Sequence, residues 1–241
     1  MTIPFSDRWT SVGSRVQLNW TEQLVEVSVF LFLIVPSLAL SFFAIKQGSL
    51  GFTLTAVATI LRDLSLLSLV LFFLWRNGEP VKLMGWTFKN VWKEVLLGLG
   101  LFIPVFFGAA WLDRFLQTVG FSSPATPQPS FLTAMGTAEF ALASVLVAVV
   151  ALTEETIFRG YLILRFRSVI ANPAIAVILS AVIFSLGHGY EGTAGVITVG
   201  VMGLIFALVY VWRGSLVAPI VMHFLQDFLS IVLLPLLLGL R

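Results

Sequence analysis

From Val27 to Leu240 the chain is built of mainly apolar stretches separated by short polar intervals, each close to the roughly 20 residues that a helix needs to cross a bilayer core. The spans expected are 27–45, 52–75, 95–112, 139–164, 173–188, 194–212 and 216–240. Composition agrees: 59% of residues are apolar, 11% are charged and mean hydropathy is +1.02, where soluble domains carry about 25% charged residues. A soluble fold could not hide that much apolar surface. The fold expected is all-α, a polytopic membrane bundle of about seven helices, with eight as the alternative count. Residues 1–138 are expected to supply N-terminal helices and loops and residues 139–235 the functional helices, within one integrated membrane domain, 1–241.

The polar stretch before the first span includes Asp7, Glu22 and Glu26 and is unlike a short basic signal-peptide region, so that span is read as retained. The absence of cysteine excludes disulfides, thiol catalysis and thiolate metal sites. With seven spans, Arg8, Arg15, Arg76, Lys82, Lys89, Lys93, Arg165, Arg167 and Arg213 fall on one side of the membrane and Lys46, Arg114 and Arg241 on the other, while Arg62 and Arg159 lie within spans. The positive-inside rule then places the N-terminus in the cytoplasm and the C-terminus outside, in a plasma or internal membrane. An eighth helix would reverse the C-terminus. The net charge of +2 is a topological signal of this kind, so membrane lipid and a protein or peptide are the partners expected, and nucleic acid is not. Trp86, Phe88 and Trp92 in the basic connection 76–94 read as interfacial anchors. Residues 113–138 hold the Ser/Pro/Thr-rich stretch FSSPATPQPSFLTA, read as the longest loop, either a flap over the site or slack chain. Gly195, Gly200 and Gly203 on the sixth span suit close helix packing.

Ionisable groups inside a span cost at least a few kcal/mol each and persist by facing a bundle interior or a water-filled cavity. On the fourth span Glu154 and Glu155 are consecutive, and Arg159 lies one turn beyond Glu155 on the same face. The natural division pairs Glu155 with Arg159 and leaves Glu154 to act as a base. The two histidines of the chain are His188, near the end of the fifth span, and His223, inside the seventh. Phe184, one turn before His188, could shield or orient it. Asp227, one turn after His223, could hold one ring nitrogen and fix the tautomer. Glu154, His188 and His223 could bind one divalent metal, zinc as first choice, or activate water without metal. At 1.5 Å per residue Glu154 and His223 lie at about 12–16 Å from one membrane face, and His188, at about 22 Å, needs an irregular helix end, which Gly187, Gly189 and Gly192 allow. Each residue alone could be a bundle-tying contact. Their concentration favours one shared cavity. Arg62 and Asp63, adjacent in the second span, do not share a helix face, so each is expected to find another, structural partner.

EETIFRG at 154–160, FSLGH at 184–188 and HFLQD at 223–227 resemble, in this order, the three motifs of the CPBP family of intramembrane proteases, which includes CAAX prenyl endopeptidases and the Abi proteins of bacteriocin processing and immunity. The resemblance covers about residues 139–235. It implies an intramembrane endopeptidase in which Glu154 activates water, His188 assists it or binds metal, and Glu155 and Arg159 shape the site. His223 and Asp227 would support the oxyanion or complete a metal environment. No H-E-x-x-H is present, so a zincin site is not implied. The competing classes are a non-catalytic membrane interaction or immunity protein, and a proton-coupled transporter, for which no inverted repeat is found.

Overall fold

The computed structural model describes residues 20–44, with side chains to residue 35, and residues 51–123, 133–170 and 172–237. Among them are seven helical rods and no strand. They are α1 (Trp20–Ala44), α2 (Phe52–Arg76), α3 (Val91–Thr118), α4 (Gly136–Ile170), α5 (Pro173–Leu186), α6 (Gly192–Arg213) and α7 (Val217–Leu237). A helix bonds its own backbone, which hydrocarbon requires.

Five segments are long and apolar enough to cross a membrane by length and composition: α2, α3, α4, α7 and Gly189–Arg213, which contains α6. Their outer surfaces are themselves apolar. On α3, Ile103, Phe107 and Trp111 stand largely exposed, a surface that lipid solvates and water does not. The chain is therefore an integral membrane protein. The expected fifth span, 173–188, is corrected: α5 has 14 residues, rises about 21 Å and falls short of the ~30 Å core. Pro173 and the side chain of Asn172, which accepts from the N–H of Ala174 and Ile175, fix its start. It ends at Leu186, two residues before His188.

Helix α2 packs on α4, α4 on α7, α5 on α6, and α3 against α6 and α7. At Gly98 of α3 a Cβ would lie 2.8 Å from Val221 and 2.9 Å from the Ala218 carbonyl, so the absent side chain sets the α3–α7 approach. Helix α1 lies against the C-terminal half of α4, with Phe30 and Tyr161 rings 5.0 Å apart.

One end of the bundle gathers the basic residues. Buried Arg165 donates to Glu26 of α1 at 2.7 Å and to Glu79, while Tyr161 and Asn77 donate to the same Glu26 carboxylate at 2.9 and 2.8 Å. Arg213 pairs with Glu94 at 2.6 Å. The connection after α2 is more ordered than a plain loop: a 3-10 turn, Val81–Met84, buries Met84, and the Gly85 carbonyl accepts from the Leu216 N–H at 3.0 Å. Of the expected anchors, Phe88 and Trp92 are exposed, but Trp86 is partly buried against the core. At the opposite end Ser122 bonds Thr193, and Glu139 accepts from Thr53 and from the Met135 N–H. Most of the Ser/Pro/Thr-rich loop, 124–132, lies outside the described residues.

Candidate active site

The site is centred on α4. Residues Glu155–Leu162 of that helix form a π-helical segment, a local widening frequent at functional positions because it re-aims side chains. Glu155 is fully buried, and its Oε1 lies 2.9 Å from Arg159 Nη1, as the i,i+4 spacing predicts. Arg159 is fully buried too. Its Nη2 donates to the Gly203 carbonyl of α6 at 3.2 Å, and its guanidinium lies over the Phe184 ring, 4.1 Å from the centroid. A Cβ on Gly203 would meet Phe184 at 2.9 Å and Arg159 Nη2 at 3.1 Å. The packing role expected of Gly203 holds, and its carbonyl adds a polar contact.

His223 of α7 closes the group. Its Nδ1 lies 2.8 Å from the same Glu155 Oε1, and since a carboxylate only accepts, Nδ1–H is the donor. Its Nε2 faces Asp227 Oδ2 at 3.4 Å and Glu154 Oε2 at 3.9 Å. Asp227 thus meets one His223 nitrogen across one helical turn, as the i,i+4 spacing predicts, but the other nitrogen is not left open. Glu155, from another helix, holds Nδ1, so Asp227 and Glu154 share the Nε2 side. The Glu154 Oε2 atom is buried without a hydrogen-bond partner among the described residues. At 3.9 Å it is too far from Nε2 for a direct bond and near enough for one water between them.

His188 stands at the turn after α5, where the chain leaves the helix through Gly187. The irregular end anticipated from the glycines is present. The His188 Nδ1 lies 3.3 Å from the Phe184 carbonyl, and the two rings are 5.0 Å apart, while the Phe184 ring is also 5.9 Å from that of His223. One phenyl ring thus separates both imidazoles and underlies Arg159. His188 lies within electrostatic reach of Glu154 and has no direct bond to it. The turn is fixed from outside: the Ser122 N–H and hydroxyl meet the Thr193 hydroxyl at 2.9 and 3.0 Å, and the Ser122 carbonyl accepts from the Ala194 N–H at 2.9 Å. Gly192 has φ +74, and a Cβ there would lie 2.7 Å from the Ser122 carbonyl oxygen, so only glycine fits.

Two residues read as structural also border this cluster. Arg62 and Asp63 pair with each other, Arg62 Nε and Nη2 meeting Asp63 Oδ1 at 2.9 and 2.8 Å. The expectation of separate partners is corrected: the long Arg62 side chain folds back across the helix surface, which face-counting does not register. Asp63 is buried, with Oδ2 3.4 Å from the hydroxyl of Thr153, the neighbour of Glu154, and it lies within electrostatic reach of Glu154 and His223. Charge inside a span was the signal that could have placed this pair at the site. Glu154, His188 and His223 are the expected holders of a divalent ion, but among the described residues no three His, Asp or Glu side chains are grouped to hold one. His223 donates from Nδ1 to Glu155 and keeps Nε2 free of that bond, as a metal-bound histidine also does, so the spacing of the three side chains is what fails to hold an ion in this arrangement.

Residues 135–229 match the family described as Rce1-like, type II CAAX prenyl endopeptidase Rce1-like. No curated protein and no solved structure matches the chain. The matched interval opens one residue before α4 and closes two residues after Asp227, so it contains Glu154, Glu155, Arg159, His188, His223 and Asp227. Over this interval, which is less than half of the chain, the sequence is similar to the Rce1-like type II CAAX prenyl endopeptidases.

Proposed function

We propose that the chain hydrolyses a peptide bond of a membrane-associated protein or peptide, using Glu154 as the general base for water. The observation that carries this reading is the buried, unpartnered Glu154 Oε2 facing His223 Nε2 at 3.9 Å. Water between them loses a proton to Glu154 as its oxygen attacks the scissile carbonyl carbon. The carbonyl becomes a tetrahedral oxyanion, and a histidine donating from both nitrogens, Nδ1–H to Glu155 and Nε2–H toward the reacting centre, suits its stabilisation. Glu154 then returns the proton to the leaving nitrogen as the C–N bond breaks, giving a carboxylic acid and an amine. Arg159 and Glu155 position His223. His188, on the other side of Phe184, assists at the Glu154 face.

This sequence of steps is carried by side chains alone, and metal assistance is the alternative form. In detergent, the purified protein is expected to cleave a fluorogenic peptide that carries a farnesyl-cysteine followed by three apolar residues. Exhaustive chelation should leave the rate within about two-fold, because no ligand set depends on an ion for its charge balance. A rate lost on chelation and restored by zinc would establish the metal-assisted form. A protein that cleaves no such peptide, and whose membranes accumulate no uncleaved substrate when Glu154 is changed, would favour the interaction reading.

The basic end of the bundle, carrying Lys82, Arg165 and Arg213, is proposed to face the cytoplasm. Because the chain has no cysteine, Lys82→Cys introduces a single thiol. Its labelling in intact cells by a membrane-impermeant reagent would reverse the orientation.

A further inference from the structure

Arg62 is the eleventh residue of the 25 in α2, about 15 Å from one end of the helix and about 21 Å from the other at 1.5 Å per residue. That depth is the middle of the bilayer, beyond the headgroups at either surface. An arginine placed there without function is expected to be buried with its counter-ion, as Arg159 is. Arg62 instead leaves 48% of its side chain exposed while its partner Asp63 is only 4% exposed. Arg62 gives Nε and Nη2 to one oxygen of Asp63 and leaves Nη1 outside that pair. It lies within electrostatic reach of Glu154 and Tyr190.

We infer that Arg62 is a specificity-determining residue that receives the C-terminal carboxylate of the peptide being cleaved. The inference rests on the endopeptidase reading. A peptide of apolar residues entering this site brings one obligatory charge, its terminal carboxylate, and that group needs a cation once water is excluded. Glu154, Glu155, Asp63 and Asp227 all repel it. Arg159 is fully buried between helices and ion-paired with Glu155, out of reach of an entering peptide end. His223 is likewise buried, with a carboxylate at each ring nitrogen. Among the described residues, that leaves Arg62 as the exposed arginine at the Glu154 face. Asp63 holds it in place, and the planar fork of a guanidinium is suited to a carboxylate in a way that an ammonium is not. A peptide continuing well beyond the scissile bond would present no charge to Arg62, so the residue selects substrates cut close to their C-terminus.

The test compares the farnesyl-cysteine peptide as free acid with the same peptide as C-terminal amide. Wild type is expected to cleave the acid at about 10- to 100-fold higher kcat/KM, the range for loss of a charge-assisted bond. In Arg62→Gln the acid-to-amide ratio should fall to within about two-fold of unity, and in Arg62→Lys, which keeps the charge but not the fork, it should be intermediate. The ratio is the quantity read, so a general loss of activity or stability in a variant cancels. A wild type indifferent to the terminus, or an Arg62→Gln protein that keeps the full preference, overturns the inference. If wild type cleaves neither peptide, the endopeptidase reading is what has failed. Thermal-shift binding of the two peptides then decides the carboxylate site: acid-selective binding lost in Arg62→Gln supports it, and equal binding of acid and amide overturns it.

Discussion

Glu154→Gln is expected to lower peptide cleavage by at least about two orders of magnitude, the scale of losing a general base, while membrane insertion and thermal stability stay close to wild type. The two halves of this expectation come from one piece of geometry. Glu154 Oε2 has no hydrogen-bond partner among the described residues and lies 3.9 Å from His223, so an amide of the same shape strands no neighbour and creates no void. What it removes is the ability to take a proton from water. The neighbouring Glu155 is fully buried, against 18% exposure for the Glu154 side chain, and its Oε1 already faces both Arg159 and His223, so it is not placed to meet water in the same way. The measurement is cleavage of the farnesyl-cysteine peptide beside a thermal melt of the same detergent preparation. Cleavage retained within ten-fold would remove Glu154 from the role of base, whatever the melt shows.

The architecture was readable because hydropathy and helix length obey a rule that the bilayer imposes on every segment alike. The same regularity carried the Glu155–Arg159 contact, since both residues lie on one helix, and the common depth of Glu154 and His223, since each could be counted from its own span boundary. What the sequence did not reveal are the contacts that depend on another helix or on the path of a flexible side chain. Asp227 seemed the natural holder of His223 at i,i+4, yet Glu155 of α4 comes closer, at 2.8 Å against 3.4 Å. Arg62 and Asp63 point to different faces by backbone geometry, yet the reach of an arginine side chain lets them pair. The π-helical segment after Glu154 has no marker residue. The fifth span read too long because Gly187 and His188 continue the apolar run without continuing the helix.

Removing Arg159 should have the opposite signature from removing the base, with stability and activity falling together. Its guanidinium is 1% exposed, ion-paired with Glu155 at 2.9 Å, donating to the Gly203 carbonyl at 3.2 Å, and stacked on Phe184. Arg159→Ala leaves a fully buried Glu155 carboxylate without its cation and a cavity under an aromatic ring, and breaking a buried pair from one side costs about 3–5 kcal/mol. The melting midpoint should drop by roughly 10 °C on that basis. Activity should fall because Glu155 also fixes His223 Nδ1, and a carboxylate freed from Arg159 no longer holds the imidazole toward Glu154. A second substitution separates the two effects. In Arg159→Ala combined with Glu155→Gln no unpaired charge remains, so part of the lost stability should return, whereas cleavage should not, because the charged anchor of His223 is gone. An Arg159→Ala protein that melts with wild type would show that the pair is not what holds this corner of the bundle. Recovery of cleavage in the double variant would show that His223 needs no carboxylate at Nδ1.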